Sequence, residues 1–389
     1  MRSRRQEHPR EEGPDDAATQ PDMQRGMIAA LLKGPGRFEV TEVARPPCPT
    51  GGLLLRVAAC AVCGSDIRIF LGRKQIKGSQ EIAGQVLPGH ILGHEIAGVI
   101  EEVDAHEPPE FSSGHLVAVA PRITCGSCDM CRRDQSILCR KYDALGYRFP
   151  GGFAGYLAVP SRLVQDGSVN QVPEGVPAWH ACLAEPLACT INAQEAMGIR
   201  PGDSVLVVGA GPIGCLHILL ARYRGASLIA VSEPESGRRE QARSLGADLA
   251  VGPVTLNMYQ TLLEATRGEG FSAVIFAVSS IEAVRQVFGS QDAGLYRLLA
   301  PGARVNLFAG LDPGETSVTL DVRALHYQGI NIFGSVNSSA RQNAEALRLI
   351  ASGAIPVECL VTSRLPLSRI DEALALAMSR THLKVIVEP

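Results

Sequence analysis

The sequence predicts an α/β protein with two architectures in one chain, a mostly-β region and a parallel, doubly wound sheet. Three observations carry this. Between residues 27 and 175 short apolar runs are bounded by Gly and Pro turns. Between 176 and 334 strand-like runs alternate with helical stretches, as parallel strands joined by crossover helices require. At 389 residues, 46% of them hydrophobic, the chain is also too long for one small core.

In chain order, residues 1–26 are rich in Arg, Glu, Asp, Gln and Pro. They hold too little apolar surface to offset their ordering entropy, so a disordered extension is expected. No apolar segment follows Arg4 and Arg5, which argues against an export signal. Ordered structure is expected from Met27. Leu53–Ala58 and Leu116–Ala120 read as strands. Then come strand Ser204–Val208, helix Ile213–Arg224, strand Leu228–Val231, helix Gly237–Leu245, and strands Ala273–Ala277 and Arg304–Phe308. The segment 335–389 carries a helix near Ala340–Ala351 and a last strand at Lys384–Val387.

The net charge of −3 points to neither a nucleic-acid partner nor a membrane surface. No run approaches the roughly 18 apolar residues of a membrane span. There are 11 cysteines, an odd number, and four of them fall between 125 and 139. Metal binding in a reducing cytoplasm explains this crowding better than a disulfide framework.

Gly209-Ala210-Gly211-Pro212-Ile213-Gly214 follows a Val-rich strand and opens a helix. In that context the glycines permit a tight turn, close approach to a pyrophosphate, and packing of the helix on the sheet. The helix N-terminus supplies free N–H groups. Glu233, about 20 positions further on, is expected to accept hydrogen bonds from the adenosine ribose diol and to repel a 2′-phosphate. NAD is therefore favoured over NADP. Arg238 has three open roles: pairing with a phosphate, stacking on adenine, or bonding to Glu233.

Cys125, Cys128, Cys131 and Cys139 are spaced so that four thiolates can wrap one Zn²⁺. Such a donor set is closed, which makes the site structural. A second set is scattered: Cys63-Gly64-Ser65-Asp66, Gly93-His94-Glu95 and Glu185-Pro186-Leu187. A catalytic zinc needs about three protein ligands and one open position, and thiolate, imidazole and carboxylate meet that need.

These motifs, CGSD at 63–66, GHEIAG at 93–98, CGSCDMC with Cys139, EPLACT at 185–190 and GAGPIG at 209–214, occur in one order. In that order the sequence resembles the zinc-containing medium-chain dehydrogenases, the alcohol, sorbitol and threonine dehydrogenase family, over Met27–Pro389. The EPLA, FAGL and HYQGINIFGS stretches resemble the polyol and sugar branch most. The resemblance implies a GroES-like catalytic domain in two segments, 27–175 and 335–389, around a Rossmann domain at 176–334. It implies Cys63, His94 and Glu185 as zinc ligands, with Glu95 a ligand or an alternating near-ligand, and two zinc ions per chain. Ser65 falls where the family places its proton-relay hydroxyl. Ala309 and Gly310 join the cofactor-binding residues.

The sequence departs from the family at several positions. Arg68 stands where a relay His is frequent, and arginine is not a practical proton donor. It is left to bind a substrate anion or the NAD pyrophosphate. Ile69 stands where sorbitol dehydrogenases tend to have an aromatic substrate contact, and Asn337 where they tend to have Arg. His115 replaces an acidic turn residue. The activity implied is NAD-linked hydride transfer to or from a secondary alcohol: a polyol, sugar, sugar phosphate or cyclitol. Two alternatives are an enzyme using tightly held NAD for transient oxidation and a non-catalytic protein retaining the fold. A homodimer or homotetramer acting on a small alcohol or ketone is expected.

Overall fold

The computed structural model describes residues 26–73, 89–104, 110–253, 256–288, 298–311, 314 and 316–389. Residues 1–25, almost all of the expected N-terminal extension, lie outside them; Gly26 opens the first strand. That strand, Gly26–Gly34, pairs antiparallel with Arg37–Ala44 and with His90–Ile91. It alternates, with Met27 and Ala29 inward and Ile28 outward.

A seven-stranded sheet follows. Its order is Val169–Gln171, Leu116–Val119, Glu95–Val103, Leu53–Ala61, Lys384–Glu388, Val361–Pro366, and Tyr156–Val159 also pairs with Leu53–Ala61. Two of these strands come from the C-terminal segment, so the sheet is sewn from both ends of the chain. The register matters for the site: Ala61 lies opposite Glu95 on one side and opposite Ile386 on the other.

The second large sheet has six parallel strands in the order Leu249–Val251, Leu228–Ser232, Ser204–Val208, Phe271–Phe276, Leu299–Leu307, Asn331–Gly334. Strands in this arrangement are covered on both faces, and Val205, Leu206 and Val207 are fully buried. The helices Pro212–Tyr223 and Ser236–Ser244 match the expected stretches to within a residue or two. The strands Leu249–Val251, Asn331–Gly334 and Val361–Pro366 and the helix Ala184–Met197 were not legible as separate elements. Three of these are short or mixed in composition. The helix intersperses Glu185, Thr190, Asn192, Gln194 and Glu195 among its apolar residues and gives no clean periodic signal.

Ala184–Met197 packs on the Ala340–Ala351 and Pro212–Tyr223 helices. It shares one apolar cluster with residues of both sheets, among them Ala59, Ala97, Val205 and Ile229. This cluster is the seam between the two architectures. Among the described residues no helix is long and apolar enough to cross a membrane.

Candidate active site

The seven-stranded sheet brings two chain segments to one place. Cys63 lies two residues beyond Ala61, whose register partner is Glu95, so the thiol and the His94-Glu95 pair end side by side. Gly93 sits in the left-handed region at φ +94°, and a Cβ there would stand 2.7 Å from Cys60 Sγ and 2.9 Å from Phe153. Only glycine delivers His94 along that path. The ligand atoms of Cys63, His94 and Glu95 lie within 4.8 Å of one another.

Cys63 is the N-cap of the helix Gly64–Phe70. Asp66, fully buried in that helix, accepts from Cys63 N at 3.0 Å and meets His94 Nδ1 at 3.1 Å. The carboxylate thereby orients the ring and leaves Nε2 for a metal. Burial disfavours the imidazolium, but Asp66, Tyr147 and Cys63 together outweigh it and raise the His94 pKa well above the ordinary value. Burial also disfavours the Cys63 thiolate, yet the charge and hydrogen bond of His94 together with the Lys384 ammonium lower the thiol to about 7.

Ser65 Oγ lies 3.4 Å from Cys63 Sγ and 3.3 Å from His94 Nε2, and it accepts from Tyr147 Oη at 3.0 Å. Lys384 Nζ donates to both oxygens of Glu95, in a pair with almost no exposed surface. Burial opposes the Lys384 charge, but Glu95, Cys63 and Glu185 together outweigh it and keep the ammonium protonated. Glu185, in the first turn of Ala184–Met197, does not join the 4.8 Å group among the described residues. Its carboxylate accepts from the Cys189 thiol at 3.4 Å, one turn along its own helix. The group thus holds Glu95, which is paired with Lys384, while Glu185 stands outside it, paired with Cys189.

Asp66, Tyr147 and Lys384 were not singled out from sequence. Asp66 offered a local signal, since it stands at the third position of a helix capped by Cys63. Tyr147 and Lys384 offered none, because each meets the site only through the fold.

Ile69 is a correction to the expected pocket. Asp66, Ile69 and Phe70 form the buried face of the short helix. Ile69 has 0% exposure and packs in the core, so it is not a substrate contact. Arg68 lies one residue before Ile69, outside that buried face. Its guanidinium donates to the Gly310 and Leu311 carbonyls, each at 2.9 Å, and so ties the site to the loop after the Leu299–Leu307 strand. Asn337 adopts φ 55°, and its carbonyl accepts from Asn192 at 3.0 Å.

The four-cysteine lobe is compact. Its sulfur separations are 3.5 Å (Cys139–Cys125), 3.6 Å (Cys128–Cys131), 3.9 Å (Cys128–Cys139) and 4.0 Å (Cys125–Cys131). Four sulfurs at Zn–S bonds of about 2.3 Å span tetrahedral edges of roughly 3.8 Å, so the donor set fits zinc. Backbone amides of Ser127 and Cys128 point at Cys125 Sγ and lower its thiol to about 6.

In the dinucleotide loop, Gly209 takes φ +97° and a Cβ on Gly214 would stand 1.9 Å from the Gly209 carbonyl, so helix and turn meet without side chains. Pro212 sits at the first helical turn, with Ile213 and Gly214 following, and Gly211 is the N-cap. Glu233 closes its strand and accepts from Ala210 N at 2.7 Å and Glu235 N at 3.0 Å. Arg238 reaches the His382 carbonyl at 3.5 Å, with a guanidinium nitrogen 3.9 Å from where a Gly211 Cβ would be. Ala309 N donates to Phe276 O at 3.1 Å, which sets the Ala309-Gly310 turn beside the loop-bearing sheet end.

Comparison with known proteins gives consistent findings. The alcohol dehydrogenase GroES-like domain family matches residues 49–171, and the zinc-binding dehydrogenase family matches residues 212–352. The L-threonine 3-dehydrogenase of Pyrococcus horikoshii is 30% identical over 345 residues, covering 88% of this chain and 92% of the relative. The erythritol/L-threitol dehydrogenase of Mycolicibacterium smegmatis is 28% identical, covering 93% of this chain and 98% of the relative. A protein of Sinorhizobium meliloti 1021, assigned by inference as a zinc-binding dehydrogenase and solved bound to NADP, superposes with a TM-score of 0.82 at 27% identity. It covers 94% of this chain and 100% of its own.

Proposed function

This chain belongs to the zinc-binding dehydrogenases with an alcohol dehydrogenase GroES-like domain, and from that membership we propose a secondary-alcohol dehydrogenase of the polyol and sugar class that uses NAD. As a member of the family it is an oxidoreductase working with zinc and a nicotinamide cofactor. The catalytic domain is taken as residues 27–175 with 335–389, and the cofactor domain as 176–334.

The observation that carries the reading is the joint cluster of Cys63, His94 and Glu95 with the Ser65 hydroxyl against it. Cys63 and His94 would hold the catalytic zinc. Glu185 would complete the set by turning from Cys189, or Glu95 by leaving Lys384. When bound, zinc supplies Lewis acidity toward an alcohol oxygen and the nicotinamide supplies the hydride acceptor. Asp66 holds the His94 ring in one tautomer. Ser65 Oγ would take the alcohol proton as it passes its own to Tyr147 Oη, which in turn releases one to solvent; both hydroxyls donate and accept, so the path runs in either direction. Arg68 takes no proton; its bridge to Gly310 and Leu311 fixes the cofactor loop against the site. The Glu233 carboxylate at the ribose end favours NAD, and Cys125, Cys128, Cys131 and Cys139 would hold a second, structural zinc.

A homo-oligomer is part of the same proposal. Asn331–Gly334 is an edge strand of the parallel sheet, and the neighbouring Val322 and Tyr327 are 73% and 72% exposed.

The test is a panel of polyols, sugars, sugar phosphates, cyclitols and amino alcohols followed by absorbance of the reduced cofactor, with NAD and NADP in parallel. Net NADH in the presence of one class supports the reading. Substrate turnover with no net NADH favours the transient-oxidation alternative, and no turnover of any class removes the proposal.

A further inference from the structure

Arg68 joins the helix that carries the metal cluster to the loop that follows the Leu299–Leu307 strand. Its Nη1 donates to the Gly310 carbonyl and its Nη2 to the Leu311 carbonyl, each at 2.9 Å, across 242 and 243 positions of sequence. One planar guanidinium fork thus spans two consecutive carbonyls, a geometry that a single ammonium cannot reproduce.

The two ends of this bridge differ in stiffness. On the catalytic side, Arg68 stands in the helix Gly64–Phe70, whose N-cap is Cys63 and whose Asp66, Ile69 and Phe70 are buried. Phe70 stacks on Phe38 with ring centroids 5.2 Å apart, and its carbonyl accepts from Gly36 N at 2.6 Å. The same helix sets Ser65 beside His94 Nε2 and Asp66 on His94 Nδ1. Arg68 is therefore mounted on the element that aims the cluster, and close packing fixes that element.

On the cofactor side the support is thinner. Ala309 N donates to Phe276 O at 3.1 Å, which anchors the start of the loop. A cavity of about 70 Å³ then lies against it, with Phe276, Val278, Val284, Ala309 and Leu311 in its lining. Unfilled apolar space withholds the dispersion contacts that would pin Leu311. With packing incomplete there, the two guanidinium bonds set where Gly310 and Leu311 stand.

The loop leaves the carboxyl end of a parallel strand, where open α/β sheets bind their ligands. Arg68 brings it to the helix that carries Cys63 and Ser65. Hydride transfer needs the nicotinamide ring beside the alcohol carbon, so the cofactor half that meets this loop is the nicotinamide half.

We propose that Arg68 is a positioning residue for the nicotinamide half of the cofactor, acting through the Gly310 and Leu311 carbonyls. The inference rests on the dehydrogenase reading, and it gives Arg68 neither the pyrophosphate nor an anionic substrate group to bind.

The test measures NADH binding to the zinc-loaded full chain by fluorescence and NADH release by stopped flow. ADP-ribose, which has the pyrophosphate but no nicotinamide, is titrated beside it. In Arg68→Ala, NADH should bind about tenfold more weakly and leave faster, while the Kd of ADP-ribose stays within about twofold of the parent's. For any alcohol the parent oxidises, kcat/KM should fall by about tenfold or more, with a larger primary deuterium isotope effect. Arg68→Lys keeps the charge without the fork and should restore little of the loss. Zinc content and Tm check each variant, and if Arg68→Ala fails to fold, Arg68→Lys carries the comparison. Equal weakening of NADH and ADP-ribose would make Arg68 a pyrophosphate contact. Full recovery in Arg68→Lys would make it a point charge, and unchanged NADH binding in both variants would leave the loop fixed by other groups. Each of these three results overturns the proposal and leaves the dehydrogenase reading standing. A parent that binds neither NADH nor NADPH overturns both.

Discussion

The two cysteine-bearing regions differ in how the chain builds them. Cys125, Cys128, Cys131 and Cys139 come from one short loop, and four of the six separations between their sulfurs are already 3.5 to 4.0 Å, with all of them within 4.8 Å. The catalytic cluster draws on residues around 63, 94 and 147, and on Lys384, which is 289 positions from Glu95. The local set is closed by its own ligands, which suits a metal that only holds structure. The distant set is held by neighbours, Asp66 on His94 and Lys384 on Glu95, and it keeps a hydroxyl rather than a fourth ligand at its open side. Position in sequence thus separates a site that builds structure from one that structure has to build.

The sharpest test of that contrast is Cys63→Ala. It should remove one zinc and lower kcat/KM by about 10⁴-fold or more while the fold persists, since a Lewis acid is worth several kcal/mol and each 1.36 kcal/mol is tenfold. Metal analysis of the freshly purified parent should find two zincs per chain; one or none breaks the comparison at its root. Cys128→Ala should do the opposite, costing stability first, with a fall in Tm on the order of 10 °C or more because zinc binding is folding energy there. If Cys128→Ala leaves Tm intact and abolishes turnover, the two regions have been assigned the wrong way round.

Ser65→Ala should lower kcat by about 10²–10⁴-fold with zinc retained, as expected for a placed proton acceptor. An unchanged kcat would move the proton path elsewhere.

Acid stability needs a correction before it reports on the cysteine lobe. His217 is fully buried, and burial pushes its pKa down to about 3. The unfolded chain binds a proton below about 6.5 that the folded chain excludes until about 3, so this residue lowers stability as pH falls through that window. At pH 5 the loss is on the order of 2 kcal/mol. His217→Phe should remove that part of the pH dependence between pH 7 and 5, measured by denaturant unfolding; a slope equal to the parent's would show that His217 is already charged when folded. The smallest effect belongs to Tyr147→Phe, about a tenfold loss in kcat from one lost hydrogen bond to Ser65. A KM change with constant kcat would make Tyr147 a substrate contact instead.

Much of the fold was legible because its signals are local. The glycine loop, the Val-rich strands of the parallel sheet and the capped Ala340–Ala351 helix each carry their own pattern. The cysteine lobe was legible for the same reason. What stayed hidden depends on register and helix face. Sequence spacing put Arg68 and Ile69 side by side as pocket residues, yet a helix turns each residue about 100°, so Ile69 went with Asp66 and Phe70 into the core. Lys384 was invisible because its partner is set by the pairing of Lys384–Glu388 beside Leu53–Ala61, and no feature of either strand names the other.

That pairing also has a consequence for the order of synthesis. The strand Lys384–Glu388 fills the slot between Leu53–Ala61 and Val361–Pro366, and it brings the cation for the buried Glu95. On the ribosome, Cys63, His94 and Glu95 emerge early, but the carboxylate has no counter-ion and the sheet has a gap until the whole parallel domain has been translated. The dinucleotide-binding half is therefore free to fold as an inserted unit first, and the catalytic half is finished last, by a strand that works as its closing stitch.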